Sequence, residues 1–199
     1  MPHAEAEVAL ILCGALARDV IAISRRRNWH VALFGIAARD HMRPERIAPQ
    51  VERRLQELLP RFRKVIVVYG DCGTRGELDE VLLRYGVPRI AGPHCYEMYA
   101  GSAFDTLMAE EPGSFFLTDF LVRSFRGLVI KELGLDRFPE LQPLYFGNYR
   151  RIVYLAQRED AELLARAQAI AADFGLPLEV RQTGYGRLET RLAELIETT

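Results

Sequence analysis

The residues of this sequence best suited to chemistry are its three cysteines and the groups around them. Cys13 stands in LILCGAL, Cys72 in YGDCGTRG and Cys95 in GPHCYE. A thiolate can ligate a metal or act as a nucleophile, and both roles need the deprotonated sulfur. Nearby glycines 14, 70, 73 and 92 let backbone approach a bound group closely. A helix N-terminus behind a cysteine favours its thiolate. Three thiolates and one imidazole close a tetrahedral zinc site. Three thiolates alone would hold a [4Fe–4S] cluster with one iron left open, by extension of the usual four-cysteine ligation. The candidate metal ligands are therefore Cys13, Cys72 and Cys95, with His41 as the further donor. No CxxC spacing joins them, so only the fold could bring them together.

The elements that must do so follow from hydrophobic period. Short apolar, β-branched runs alternate with amphipathic stretches of helical period. Strands are predicted at Glu7–Leu12, His30–Phe34, Lys64–Tyr69, Pro88–Ala91, Ser114–Leu117, Arg151–Leu155 and Leu178–Arg181. Helices are predicted between them, including one around EMYAGSAFDTLMAEE and a terminal one at RLETRLAELIE. Thr118 or Asp119 would cap the helix after the fifth strand. Residues 137–150 read as an irregular crossover. Strands buried on both faces and separated by helices predict an α/β protein, a Rossmann-like, doubly wound and largely parallel sheet with helices on both faces. One domain over residues 1–199 is expected, with a division near residue 112 as the alternative. Cys13, Cys72 and Cys95 then each follow a strand, and His41 follows the second. In such a sheet those ends form the ligand-binding edge.

Other residues near that edge are candidates for supporting roles. Asp71 and Glu97 are the nearest carboxylates and could act as general bases or orient a histidine. They equally suit a turn-forming aspartate and a first-turn helix carboxylate. His94, next to Cys95, could stand behind the ligands. Gly14, Gly73, Tyr69, Tyr96 and Arg75 could line a small-molecule pocket. Gly184 and Gly186, in TGYG ahead of the last helix, could hold an anion. His3 and His30 fall in no such pattern.

Composition narrows the partners. The chain has 199 residues, 26 basic against 27 acidic, a net charge of −1 and 49 % hydrophobic residues. That balance offers no electrostatic footprint for nucleic acid and no polybasic patch for a membrane. The N-terminal stretch MPHAEAEVALILCGALA has no basic leader, and its apolar run is too short to span a bilayer. A cytoplasmic protein is therefore expected, and in that reducing compartment three cysteines, an odd number, argue against a disulfide framework.

At CGAL (13–16), HMRPERI (41–47), YGDCG (69–73), PHCYE (93–97), FFLTDFL (115–121) and YFGNYRRIVYLAQ (145–157), the sequence resembles a prokaryotic family of unknown function. Members of that family are often encoded near corrinoid-dependent methyltransferases and their reductive activators. The resemblance implies a place around one-carbon metabolism and transfers no catalytic residues. The corrinoid-binding pattern DxHxxG is missing, since Asp40 and His41 are adjacent, and direct cobalamin binding is not expected.

Three functional expectations follow. The first is a metalloprotein whose zinc or [4Fe–4S] centre acts on a small-molecule ligand or a thiol substrate, methyl transfer to a thiol being a natural use of zinc. The second is a metal-free binding protein for a small organic molecule such as a pterin. The third is a thiol enzyme, with Cys72 or Cys95 as nucleophile and His94 or His41 as base.

Overall fold

A computed structural model describes residues 6–198; His3 lies outside them. The chain packs as two compact units, one of residues up to Met98 together with those from Arg187 onward, the other Tyr99–Gly186.

In the first unit, β1 (Val8–Cys13), β2 (Val31–Ile36) and β3 (Lys64–Val68) form a parallel sheet in the order β2-β1-β3. Helices α1 (Ala17–Arg26), α2 (Ile47–Leu58) and α3 (Glu77–Tyr85) follow these strands. The central strand is apolar throughout because it is covered on both faces: Ala9, Leu10, Ile11 and Leu12 are all buried. Helix α2 turns Ile47, Val51, Leu55 and Leu58 inward, at the spacing that keeps one face on the sheet. The C-terminal helix Arg187–Glu197 adds Leu188 and Leu192 to the buried set.

The second unit holds β4 (Ser114–Thr118), β5 (Arg151–Ala156) and β6 (Leu178–Gln182), parallel and in sequential order. Its helices include α5 (Ala103–Glu110), α6 (Asp119–Phe125), α7 (Gln142–Phe146) and α8 (Ala161–Phe174), where α4 (Cys95–Ala100) is the helix that precedes them. Thr118, one of the two residues the sequence offered, caps α6 by accepting from Leu121 N. Asp160 caps α8 in the same way through Leu163 N. Phe115, Phe125, Phe146 and Phe174 interlock edge to face in this core.

The α/β class and parallel strands stand as expected. The strands divide between two three-stranded sheets rather than joining one. The expected strand at Pro88–Ala91 is a single parallel bridge, Val67 with Arg89. Proline 88 has no N–H to donate, and Gly92 and Pro93 end the segment, so the ladder cannot extend. Cys13 is the last residue of β1, not the residue beyond it. The helix expected over EMYAGSAFDTLMAEE breaks at Gly101, whose φ is +60°, into α4 and α5. No helix among the described residues is long and apolar enough to cross a membrane.

Candidate functional site

The first sheet reverses its direction of winding at β1. The chain leaves β1 for β2 on one side and returns to β3 on the other. Ligands of doubly wound sheets bind outside the carboxyl ends of strands at this reversal. Cys13 ends β1, and Cys72 lies in the loop after β3. The register aligns the two strand ends, with Leu12 opposite Val68 and Cys13 opposite Ile36.

Cys13 is buried, and Ala15 N–H points at its sulfur from 3.4 Å. His41 reaches it from a short 3-10 helix, Ala38–Met42, with Nδ1 3.9 Å from Cys13 Sγ and 3.1 Å from the Ala38 carbonyl oxygen. An imidazole that donates one N–H to a backbone carbonyl has its tautomer fixed and its other nitrogen free for a ligand. Burial by itself would lower the His41 pKa. Hydrogen bonds to the sulfurs of Cys13 and Cys72, and the charge of both, overturn that and push it up to about 11.

Cys72 sits on strained backbone at φ +48°. Asp71 builds that turn. Its Oδ1 accepts from Thr74 Oγ1 at 2.7 Å and Gly76 N at 3.0 Å, and its Oδ2 accepts from Gly73 N at 3.3 Å. Although burial opposes it, these donors hold the Asp71 carboxyl below the usual carboxylate range. Cys72 N then donates to Pro93 O at 2.8 Å, which ties the loop to the segment carrying Cys95. Gly70 permits that contact. A Cβ there would stand 2.8 Å from both His94 Cα and Pro93 O. The Cys95 thiol is pushed up by burial first, then by the charges of Cys72 and Cys13. The Cys95 sulfur therefore lies within the field of the other two. All three cysteines are free. Among the described residues, no three His, Cys, Asp or Glu side chains already stand as a cage for a metal ion.

Beneath the sulfurs lies Tyr69, fully buried, its ring stacked on His41 with centroids 5.6 Å apart. Its hydroxyl has no hydrogen-bond partner. Burial first, then the Cys13, Cys72 and Asp40 charges, raise its pKa. Asp40 is itself buried and accepts from Gln50 Nε2 at 2.8 Å.

The remaining expected residues serve the surroundings. Glu97 is clamped by Arg191 through Nη1 at 2.7 Å and Nη2 at 2.9 Å, and by Arg187 at 3.0 Å. Those arginines, Arg191 above all, hold its carboxyl low despite burial. Arg191 also donates to Ala91 O at 2.7 Å, so it fastens the stretch that leads into Cys95. His94 Nδ1 accepts from Glu97 N at 3.4 Å and caps α4. Its ring packs near Tyr96, with centroids 5.6 Å apart. Gly14 is used by backbone: a Cβ there would meet Ile36 O at 3.0 Å. Gly73 and Arg75 are exposed in the Cys72 loop. Gly184 and Gly186 belong to the second unit, in the turn between β6 and the C-terminal helix.

Sequence reasoning did not single out Asp40, Gln50 or Arg191. Asp40 had one visible signal, its place next to His41. Arg191 had none, because its partner lies 94 residues away.

The fold and these contacts define the class: a parallel α/β protein with Cys13 and His41 side by side at the winding reversal of a sheet. Within that class, the chain belongs to the family described as protein of unknown function DUF1638, whose model matches residues 36–192. His41, Cys72 and Cys95 fall inside the matched stretch, and Cys13 precedes it. Searches of curated proteins and of solved structures find no match to the chain.

Proposed function

We propose that the first unit is a metal–thiolate protein in which Cys13, Cys72 and Cys95 hold a zinc ion or a [4Fe–4S] cluster, with His41 as the fourth ligand of zinc. The observation that supports this reading is His41 standing 3.9 Å from Cys13 Sγ at the winding reversal, with the Cys72 loop after β3 bonded to the segment that leads to Cys95. A metal cation would supply the charge that thiolate ligands need, with His41 as a neutral imidazole. His41 Nδ1 is held at the Ala38 carbonyl, so a metal would be met by its Nε2.

The centre is proposed to bind a small molecule: a substrate thiol would displace His41 from the zinc, be held there as thiolate and so be ready to accept a methyl group. A corrinoid methyltransferase system is the proposed partner, resting on the family resemblance alone. A reducing compartment, the cytoplasm, is the proposed location, which three free cysteines suit.

Anaerobic purification with metal and sulfide analysis tests the reading. Stoichiometric zinc, or a brown protein with iron and sulfide, is expected, and Cys→Ser at 13, 72 and 95 should each cost the metal. Metal-free protein with three freely titratable thiols overturns it. The 3.9 Å pair of Cys13 and His41 also suits a thiol enzyme. In that case one cysteine is essential and the other two are dispensable.

A further inference from the structure

In the second sheet, β6 pairs with β5 alone and stands at the edge. Ile152 N donates to Pro177 O, and Thr183 N donates to Ala156 O. In a ladder of this kind only alternate residues of a strand face a given neighbour. The backbone groups of Glu179 and Arg181 therefore face β5, and those of Leu178, Val180 and Gln182 point away from it. Among the described residues, no backbone group bonds to these three on their open side. Val180 is 38 % exposed, and Arg181 and Gln182 are exposed too. Open edges are commonly blunted by proline, lysine or a covering element. The strand LEVRQ holds neither proline nor lysine. Its two charges lie on one face, with Arg181 Nε donating to Glu179 Oε1 at 2.5 Å. The guanidinium has further N–H groups to offer, and the Arg181 side chain is 55 % exposed.

We propose that β6 is the docking edge for a second copy of this chain, paired antiparallel across a two-fold axis at Val180. The pairing is self-complementary. Val180 faces Val180 of the second copy and Leu178 faces its Gln182, each exchanging outward N–H and C=O groups as hydrogen-bonded pairs. Glu179 then stands opposite Arg181 on both sides of the axis, in the closer, non-hydrogen-bonded positions. Charge fixes this register. A slip of two residues one way sets Glu179 against Glu179, and the other way Arg181 against Arg181; like charges directly opposite are destabilising. A slip of one residue puts the side chains on the wrong face. Val180 and Leu164 of α8, itself 37 % exposed, border one hollow with Tyr154 and Ala156. The second Val180 comes against that apolar side. The sheets of the two copies thereby join into one, held chiefly by main-chain hydrogen bonds.

Sedimentation of the full chain over a range of concentrations tests this, together with amide exchange read by NMR. Dimer should form as concentration rises, and the amides of Leu178, Val180 and Gln182 should gain protection with it. Val180→Pro removes an outward N–H while sparing the bonds to β5, and should leave a folded monomer. Arg181→Glu should weaken dimerisation about tenfold, because both cross-strand charge pairs turn repulsive. Mixing that variant with Glu179→Arg should restore pairing, as a dimer of one acidic and one basic strand. Circular dichroism melts check that each variant is folded. Should Glu179→Arg, which also deprives Arg151 of a partner, fail to fold, Val180→Pro and the amide protection decide the matter. Wild type that stays monomeric overturns the proposal, and so does a dimer that neither Val180→Pro nor Arg181→Glu weakens. Two folded charge variants that do not pair on mixing overturn the register. Protection of the three amides by a different protein, with the chain itself monomeric, names another occupant and overturns the proposal as well.

Discussion

Glu97 carries a charge that its neighbours claim entirely. Its carboxylate meets both terminal nitrogens of Arg191 and one of Arg187. Paired, charge-assisted hydrogen bonds of this kind are stronger than those between neutral groups. Glu97→Gln is expected to cost about 1–2 kcal/mol of stability, read by denaturant unfolding; a cost within error of zero would show that the clamp is slack. Asp79 makes a weaker, more exposed pair with Arg89, Nη2 to Oδ2 at 2.9 Å. The Arg89 hydrogen bond, against opposing burial, holds the Asp79 carboxyl below its usual range. The sign follows from that direction. A depressed carboxyl contributes stability above its unfolded pKa of about 4 and loses it as pH falls through the folded value. Asp79→Asn should therefore narrow the loss of stability on acidification below about pH 4 by under 1 kcal/mol. Urea midpoints from pH 7 to 3 measure it, and parallel wild-type and variant profiles would refute it.

The segment from Gly70 to Cys95 is where two loops are pressed together. The Cys72 loop is wound by Asp71 and donates to Pro93 O, and Gly70 leaves no side chain between them. Gly70→Ala would force its Cβ against backbone atoms of Pro93 and His94 at 2.8 Å. Overpacking against backbone costs roughly 1–3 kcal/mol, and here it also drives the Cys95 segment away from Cys72. The expected outcome is a lower melting temperature together with substoichiometric metal. A variant that melts lower yet loads fully would show that the two cysteines do not depend on this contact. In the second unit, Thr118→Ala removes the side chain that accepts from Leu121 N at the start of α6. It should cost about 1 kcal/mol and leave metal content unchanged.

Over the whole molecule, the proposed ligands belong to one unit and the interlocking phenylalanines to the other. Metal removal should therefore act locally. Chelation followed by hydrogen exchange should raise exchange at the ends of β1 and β3 and in the segments around His41 and Cys95. Exchange in β4, β5 and α8 should not change. A uniform rise across both units would contradict this division.

Much of the arrangement was legible in the chain. Apolar runs such as VALIL and KVIVV could only be strands buried on both faces, and helical period between them implied parallel pairing. Strand ends in such a sheet share an edge, so the placement of Cys13 and Cys72 along it followed from local pattern. Local pattern could not show that the strands divide between two sheets, because the period is identical in either case. Nor could it show that Pro88–Ala91 forms one bridge, that Glu97 is bound by arginines 90 and 94 residues away, or that the Tyr69 hydroxyl is left unpaired. Each of these depends on which distant groups come into contact. Residue type and spacing fix what a segment can do, and only three-dimensional packing decides which partner it meets.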